Sequence, residues 1–347
     1  MQKRRLGQST LEVSVIGLGG NNFGGRIDFD AAERVEQRNL GSSGLRVSAV
    51  GLGCNNFGGR IDFEASKAVV HKALDLGITL LDTADTYGNR GGSEEALGRI
   101  LGQKRKQIVL ATKFGMPMDD SGKLGGASRA YVMQAAEASL KRLKTEWIDL
   151  YQLHQPDPRT LIEETLRALD DLVRQGKVRF IGCSNLPARQ LDEAHAVARR
   201  QRLAAFVSAQ DEYSLLVRDV ERELIPALKA HGMGLLPYFP LASGLLTGKY
   251  RRAAALPAGS RLAKNAGLAS RFINERNWRV AEELTALADR RGHSMLGLAF
   301  GWLLREPTVA SVIAGATSPE QIEQNVRAAS WLSADDLAEI DRITLER

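Results

Sequence analysis

Cysteine is scarce in this chain, with two residues, Cys54 and Cys183, among 347. Each falls at the end of a predicted strand, so the pair reads as two reduced, buried thiols in a cytoplasmic protein and excludes a disulfide-built scaffold. Aromatic residues are few as well, at 6%. Basic residues are interleaved with acidic ones, in runs no longer than pairs such as Arg199-Arg200 and Arg251-Arg252. Without stacking platforms or a continuous basic track, a nucleic-acid surface is not expected. No apolar run approaches the roughly 20 residues of a membrane span. The opening MQKRRLG is not followed by an apolar stretch, so no secretory signal is expected. Five histidines are present, none paired at ligand spacing, and a metal site is not expected.

What the chain does have is a series of apolar runs that stop at a polar residue. Ile78 to Leu81 ends at Asp82, with Tyr87 five residues on in the sequence LLDTADTYG. Ile108 to Ala111 ends in Thr112-Lys113-Phe114, and Ile148 to Leu153 ends at His154. Each run has the length and flanks of a buried strand. In a parallel α/β barrel the strand ends share one face, where catalytic groups gather. A carboxylate, a phenol, an amine and an imidazole suit the reduction of a carbonyl. The phenol, with a free pKa of about 10, carries a proton for the oxygen. A neighbouring ammonium is expected to lower that pKa, with a carboxylate holding the ammonium charged and in place. Lys113 could instead form a Schiff base. His71, His195, His231 and His293 fall in helical or turn contexts and read as packing or surface residues. Trp147 reads as packing, Asp157 as a turn cap, and Met116 and Met118 as loop residues near the substrate mouth.

Strand and helix patterns alternate from residue 48 onward. Strands are expected over 48–52, 78–82, 108–113, 148–154, 178–183, 205–210, 234–237 and 309–314. Helices are expected over 64–76, 93–101, 129–143, 160–175, 187–199, 220–231, 318–329 and 334–340. Caps are expected at Ser93, Ser128, Thr160 and Ser333. A longer stretch, 241–306, holds an insertion and two helices. Eight β/α units without a break in composition predict a (β/α)₈ TIM barrel, with a short hairpin around 40–45 plugging its bottom. The stretch GLGCNNFGG lacks the spacing of a dinucleotide-binding fingerprint, so a nicotinamide cofactor would be held by strand-end loops.

The N-terminus carries a duplication. Residues 6–32, LGQSTLEVSVIGLGGNNFGGRIDFDAA, return as 40–66, LGSSGLRVSAVGLGCNNFGGRIDFEAS, at a gapless offset of 34. One strand slot cannot hold both copies. Only the second is followed by room for a loop, a helix and a turn before the next strand. Residues 1–38 are therefore expected to be an appended duplicate strand segment, and residues 39–347 the barrel.

From about Asn39 to Arg327 the chain resembles the aldo-keto reductases, close to the branch that includes bacterial enzymes similar to potassium-channel β-subunits. LDTADTYG, ATKFG, DLYQLHQPD, GCSN, QDEYSLL, LLPYFPLASGLLTGKY and VIAGATSPEQIEQN carry the resemblance. It implies a barrel that reduces aldehydes or ketones with NADPH. It assigns Tyr87 as proton donor, Lys113 and Asp82 as its tuning pair and His154 as the group that orients the carbonyl. It places the nicotinamide amide at Ser184, Asn185 and Gln210, with the ring stacked on Tyr238. The pyrophosphate falls to the loop of Phe239, Pro240, Leu241, Ser243, Gly244, Leu245 and Lys249. Arg261 matches a position that meets the adenosine 2′-phosphate. Gly315, Thr317, Gln321, Gln324 and Asn325 match the adenine side, at a helix N-terminus. Many relatives carry lysine and arginine where this chain has Gly315 and Gln321, so preference for NADPH over NADH leans on Arg261 and Lys249. The resemblance implies a small-molecule carbonyl as partner, and a homo-oligomer is compatible with it. The walls around residues 89–92, 114–126, 155–158 and 262–277 hold few aromatics, which favours a small or polar carbonyl. The alternative is a cofactor-binding regulatory module similar to a channel β-subunit.

Overall fold

In the computed structural model the described residues are 3–5, 12–14, 35–252, 254–329 and 332–345. The chain divides into two compact units, Met1–Arg34 and Val35–Arg347. In the first unit β1 (Lys3–Arg5) pairs antiparallel with β2 (Glu12–Ser14), Lys3 opposite Ser14. The rest of the first repeat copy lies outside the described residues.

The second unit opens with another hairpin. In it β3 (Gln37–Asn39) pairs antiparallel with β4 (Arg46–Ser48), Gln37 opposite Ser48. Adding 34 to either end of the first hairpin's register gives the second's. The boundary between units falls before Val35 rather than after residue 38, because residues 35–38 are tied to the barrel. Val35 is buried against it, and the Arg38 guanidinium donates to the carbonyls of Val309 (2.8 Å) and Leu304 (2.9 Å).

Eight parallel strands then form one sheet: β5 (Val50–Gly53), β6 (Leu80–Asp82), β7 (Val109–Phe114), β8 (Ile148–Leu153), β9 (Val178–Ser184), β10 (Phe206–Gln210), β11 (Gly234–Leu235) and β12 (Val312–Gly315). From β5 to β11 each pairs with the next in sequence, and β12 returns to β5, with Ala314 opposite Leu52. The circle closes between β11 and the segment before β12. There Leu235 N–H donates to Thr308 O (2.7 Å) and Ala310 N–H to Leu235 O (2.9 Å). The result is the expected (β/α)₈ barrel. The strand in the first slot comes from the second repeat copy.

Helices join the strands on the outside: α1 (Phe63–Asp75), α2 (Tyr87–Ile100), α3 (Arg129–Leu143), α4 (Ile162–Arg174), α5 (Ala188–Gln201) and α6 (Leu224–His231). The stretch between β11 and β12 holds α7 (Arg261–Lys264), α8 (Ala266–Phe272), α9 (Glu275–Arg291) and α10 (Met295–Leu304). Finally α11 (Pro319–Arg327) and α12 (Ala334–Leu345) follow β12. Ser128 caps α3 by accepting from Tyr131 N–H, and Ser333 and Asp336 cap each other at α12. Two expected caps fail. Thr160 instead donates to Asp157, and Ser93 is buried inside α2, where it donates to Cys54 O.

Alternation explains the core. In strands, residues two apart share a face. Leu80, Val109, Ala111, Leu150, Leu236, Ala310 and Ile313 form an apolar cluster inside the ring, joined by Leu40 and Val47 of the β3–β4 hairpin. Both hairpin residues are fully buried, so the hairpin plugs one end of the barrel. Gly41 lets it dock. Its φ is +56°, and an added Cβ would lie 2.3 Å from Gly232 O. Cys54 and Cys183 are free and buried. No described helix is long and apolar enough to cross a membrane.

Candidate active site

The same alternation that fills the barrel delivers the polar groups at its other end. Asp82 stands two residues beyond Leu80, Lys113 two beyond Ala111, Gln210 two beyond Ser208, and His154 two beyond Gln152. The period of two carries each side chain inward once the apolar residues stop.

Lys113 is the centre of the constellation and is fully buried. An ammonium has three donors. Here they meet Asp82 Oδ2 at 2.6 Å, Thr83 O at 2.9 Å and Tyr87 Oη at 3.4 Å. Burial pulls the basicity of Lys113 down, but Asp82 and Tyr87 more than offset it, and its pKa is raised. Asp82 is itself held from behind, because its Oδ1 accepts from Gln210 Nε2 (2.9 Å) and Gln152 Nε2 (3.2 Å). Gln152 is a site residue to which the sequence reading gave no role, although it lies within DLYQLHQPD. Its only further signal is a polar side chain, with Asp149, inside a buried strand. Because Lys113 does not line the cavity and all three N–H groups are engaged, the geometry offers little to a Schiff base.

Tyr87 opens α2 on a distorted turn. Gly88, Asn89, Arg90 and Gly91 all have positive φ. Glycine is required at 88, where an added Cβ would come within 2.4 Å of Phe57 O and 2.6 Å of Ser93 N. This left-handed run separates Tyr87 from the right-handed part of α2, which begins only after Gly91, close to the helix start expected at residue 93. Tyr87 departs from expectation in one respect. Burial raises its pKa, and although Lys113 opposes this, the net direction is up.

His154 packs edge-on against Tyr87, with ring centroids 5.7 Å apart. Burial, reinforced by the Lys113 charge, lowers its pKa to about 3, so the imidazole is neutral. Its Nδ1 is buried without a partner.

A cavity of about 920 Å³ runs from these groups toward β12 and α11. Tyr87, Asp82 and His154 line one end, with Met116 and Gln155 beside them. Ser184, Asn185, Gln210 and Tyr238 follow as one bonded group. Ser184 Oγ donates to Gln210 O (2.7 Å), Asn185 Nδ2 to Ser184 Oγ (3.0 Å) and His154 O (3.1 Å), and Tyr238 Oη to Asn185 Oδ1 (2.8 Å). Next come Phe239, Pro240, Leu241, Ser243, Gly244 and Lys249, then Arg261, with Gly315, Thr317, Gln321, Gln324 and Asn325 on the far wall. Ser243 Oγ is buried and unpartnered, as an oxygen donor for an anionic ligand would be. Gln321 Oε1 folds back to accept from Thr317 N–H (2.9 Å). Leu245 is the exception among the expected cofactor residues, since it packs into the core and does not reach the cavity. Asn55, Asn56, Arg60, Thr247, Ser294, Met295, Leu296 and Arg327 line it unannounced by any sequence reading. Met118 packs against the core instead. Among the described residues no cluster of His, Cys, Asp and Glu could hold a metal ion.

Asp157, as expected, braces a turn by accepting from Ala127 N–H and Thr160 Oγ. His195 and His231 stack on each other at 4.1 Å, away from the cavity lining.

Comparison with known proteins agrees with this geometry. The profile of the Aldo/keto reductase family matches residues 49–344. The chain is 36% identical over 287 residues to L-glyceraldehyde 3-phosphate reductase of Escherichia coli (strain K12), covering 79% of this chain and 82% of the relative. It is 37% identical over 339 residues to a probable voltage-gated potassium channel subunit beta of Arabidopsis thaliana, covering 94% and 91%. It is also 37% identical over 270 residues to the uncharacterized oxidoreductase YrpG of Bacillus subtilis (strain 168), covering 75% and 80%. A complete β/α ring, a buried amine between carboxylate and phenol, and a profile match that begins one residue before β5 all converge: this chain is an oxidoreductase and belongs to the aldo/keto reductase family.

Proposed function

We propose that the protein reduces an aldehyde or ketone to the alcohol with NADPH, taking the proton from Tyr87. The observation that carries this reading is the single ammonium of Lys113 shared among Asp82, Thr83 O and Tyr87 Oη. Bound reduced nicotinamide would supply the hydride. The protein's own part is to place the carbonyl oxygen and give it a proton. With its pKa raised by burial, Tyr87 stays protonated across the neutral range. As the oxygen gains charge, the Tyr87 proton moves to it and the phenolate left behind faces a fixed ammonium, an arrangement that favours the transition state over the ground state. Asp82, pinned by two glutamine amides, keeps that ammonium from following the charge. Neutral His154 offers a ring nitrogen as a hydrogen-bond partner for the same oxygen, beside the Tyr87 ring.

Ser243 and Asn185, with Lys249 and Arg261 along the same cavity, suit a nucleotide, and Arg261 with Lys249 favours the phosphorylated form. The few aromatics at the mouth favour a small or polar carbonyl. A second reading, a nicotinamide-binding regulatory module, draws on the relative named as a channel β-subunit.

The test follows NADPH absorbance with aromatic and aliphatic aldehydes. Tyr87→Phe is expected to cut turnover by about 10²–10⁴-fold while NADPH binding persists. Turnover by the parent no greater than by the variant would favour the regulatory module. Loss of NADPH binding in the variant would mean Tyr87 is misassigned.

A further inference from the structure

Building on the nucleotide reading above, we infer that Arg60 is a cofactor-specificity residue, one half of an arginine pair that, together with Arg261, grips the 2′-phosphate of NADPH. Arg60 sits on the turn after β5 and lines the cavity. Its Nη2 donates to Gly259 O at 3.1 Å, two residues before Arg261, so the guanidinium is held against the segment that carries its partner. The turn is fastened at its base too, with Arg60 N–H donating to Asn56 O (2.9 Å) and Asn56 Nδ2 to Ala316 O (3.1 Å). The turn that carries Arg60 is therefore tied both to the Gly315–Thr317 wall and to the segment before Arg261.

The charge pattern asks for an anion. Arg261 lies over the Phe239 ring, 4.9 Å from its centroid. Burial, and after it the charge of Arg60, lowers its pKa. Among the described residues no carboxylate lies within ion-pair distance of Arg60, Arg261 or Lys249. Elsewhere exposed arginines find such partners readily, as Arg252 does with Glu275 and Glu282. Apart from Nη2, the guanidinium N–H groups of Arg60 meet no acceptor among the described residues. Two cations held close without a counter-charge are costly until a dianion joins them. A phosphate monoester carries roughly −1.5 to −2 charges at neutral pH and accepts forked arginine contacts. The pair also makes good a deficit, since Gly315 and Gln321 bring no charge to the adenine side.

The experiment is equilibrium binding of NADP⁺ and NAD⁺, which differ only in the 2′-phosphate, by titration calorimetry on the full chain. Arg60→Gln is expected to raise the Kd for NADP⁺ about tenfold to a hundredfold, the worth of one or two charge-assisted hydrogen bonds. The Kd for NAD⁺ should stay within about twofold. Arg60→Lys, which keeps the charge but not the fork, should fall between. An equal loss for both nucleotides, or no loss for either, overturns the proposal. Preserved melting temperature in both variants separates either outcome from misfolding. If the parent protein binds neither nucleotide, it is the cofactor reading that fails.

Discussion

Replacing Asp82 by Asn tests the electrostatic heart of the site without changing its shape. The carboxylate has two jobs at once. Its Oδ2 faces the Lys113 ammonium at 2.6 Å, and its Oδ1 accepts from two glutamine amides. An asparagine has one accepting and one donating end. If its oxygen turns to the glutamines, its amide confronts the ammonium; if it turns to Lys113, its amide confronts two other donors. Either way a fully buried charge loses its only paired carboxylate. Removing one partner of a buried ion pair costs about 3–5 kcal/mol. For a unit of roughly 300 residues, an unfolding entropy of about 2.1 cal/mol/K per residue turns this into a fall in Tm of roughly 5–8 °C. The assay is thermal unfolding of Asp82→Asn, Lys113→Met and the double variant. The double variant removes the stranded charge and should recover at least half of the loss. Lys113 has a raised pKa in the fold, so its pairing stabilises fully below the free lysine value and is lost only as pH rises through the folded value. The difference between parent and Asp82→Asn should therefore be flat from about pH 6 to 9. A double variant no more stable than Asp82→Asn, or a single variant within about 1 °C of the parent, would refute the reasoning.

Asp85 gives a pH-dependent test. Burial, and then the charge of Glu94, raises its pKa to about 7, and its Oδ1 has no partner. The folded protein thus keeps a proton that the unfolded chain releases, and this contribution is present below about pH 4 and lost as pH rises to about 7. Asp85→Asn should match the parent near pH 4 and be more stable above pH 7, by at most about 4 kcal/mol; denaturant titrations at the two pH values check it. For the duplicated segment, removing residues 1–34 is expected to leave turnover and Tm nearly unchanged, whereas removing 1–38 should lower Tm by severing the Arg38 contacts to Val309 and Leu304. A large loss in the shorter deletion would show that the first copy is structural.

Much of the barrel was legible because a strand buried on both faces has an abrupt polar end, and those ends are where Asp82, Lys113 and His154 emerge. Local chemistry settled less. Gln152 looks like an interruption in an apolar strand until Asp82 stands opposite it. Arg60 follows Gly58 and Gly59 and reads as part of a turn; only Gly259, 199 residues away, gives it a place. Leu245 sits in a motif whose neighbours line the cavity, yet the loop turns it into the core. The right-handed part of α2 starts close to the expected residue 93, but the left-handed run at 88–91 that separates it from Tyr87 has no signature apart from Gly88 and the Gly91-Gly92 pair. The direction of the Tyr87 pKa also needed the structure, because desolvation outweighs a neighbouring charge only when burial is known.

The two hairpins of equal register carry a consequence for how the chain chooses between its twin segments. Counting back by 34 from the buried stripe of α1, Val69, Val70 and Ala73 correspond to Val35, Glu36 and Asn39. Only the first of these is apolar, and Gln37–Asn39 are already committed as β3. The copy therefore runs out before it reaches the face that would anchor a helix to the barrel wall. Occupancy of the first slot is decided downstream of the slot itself, by an apolar stripe that was never duplicated.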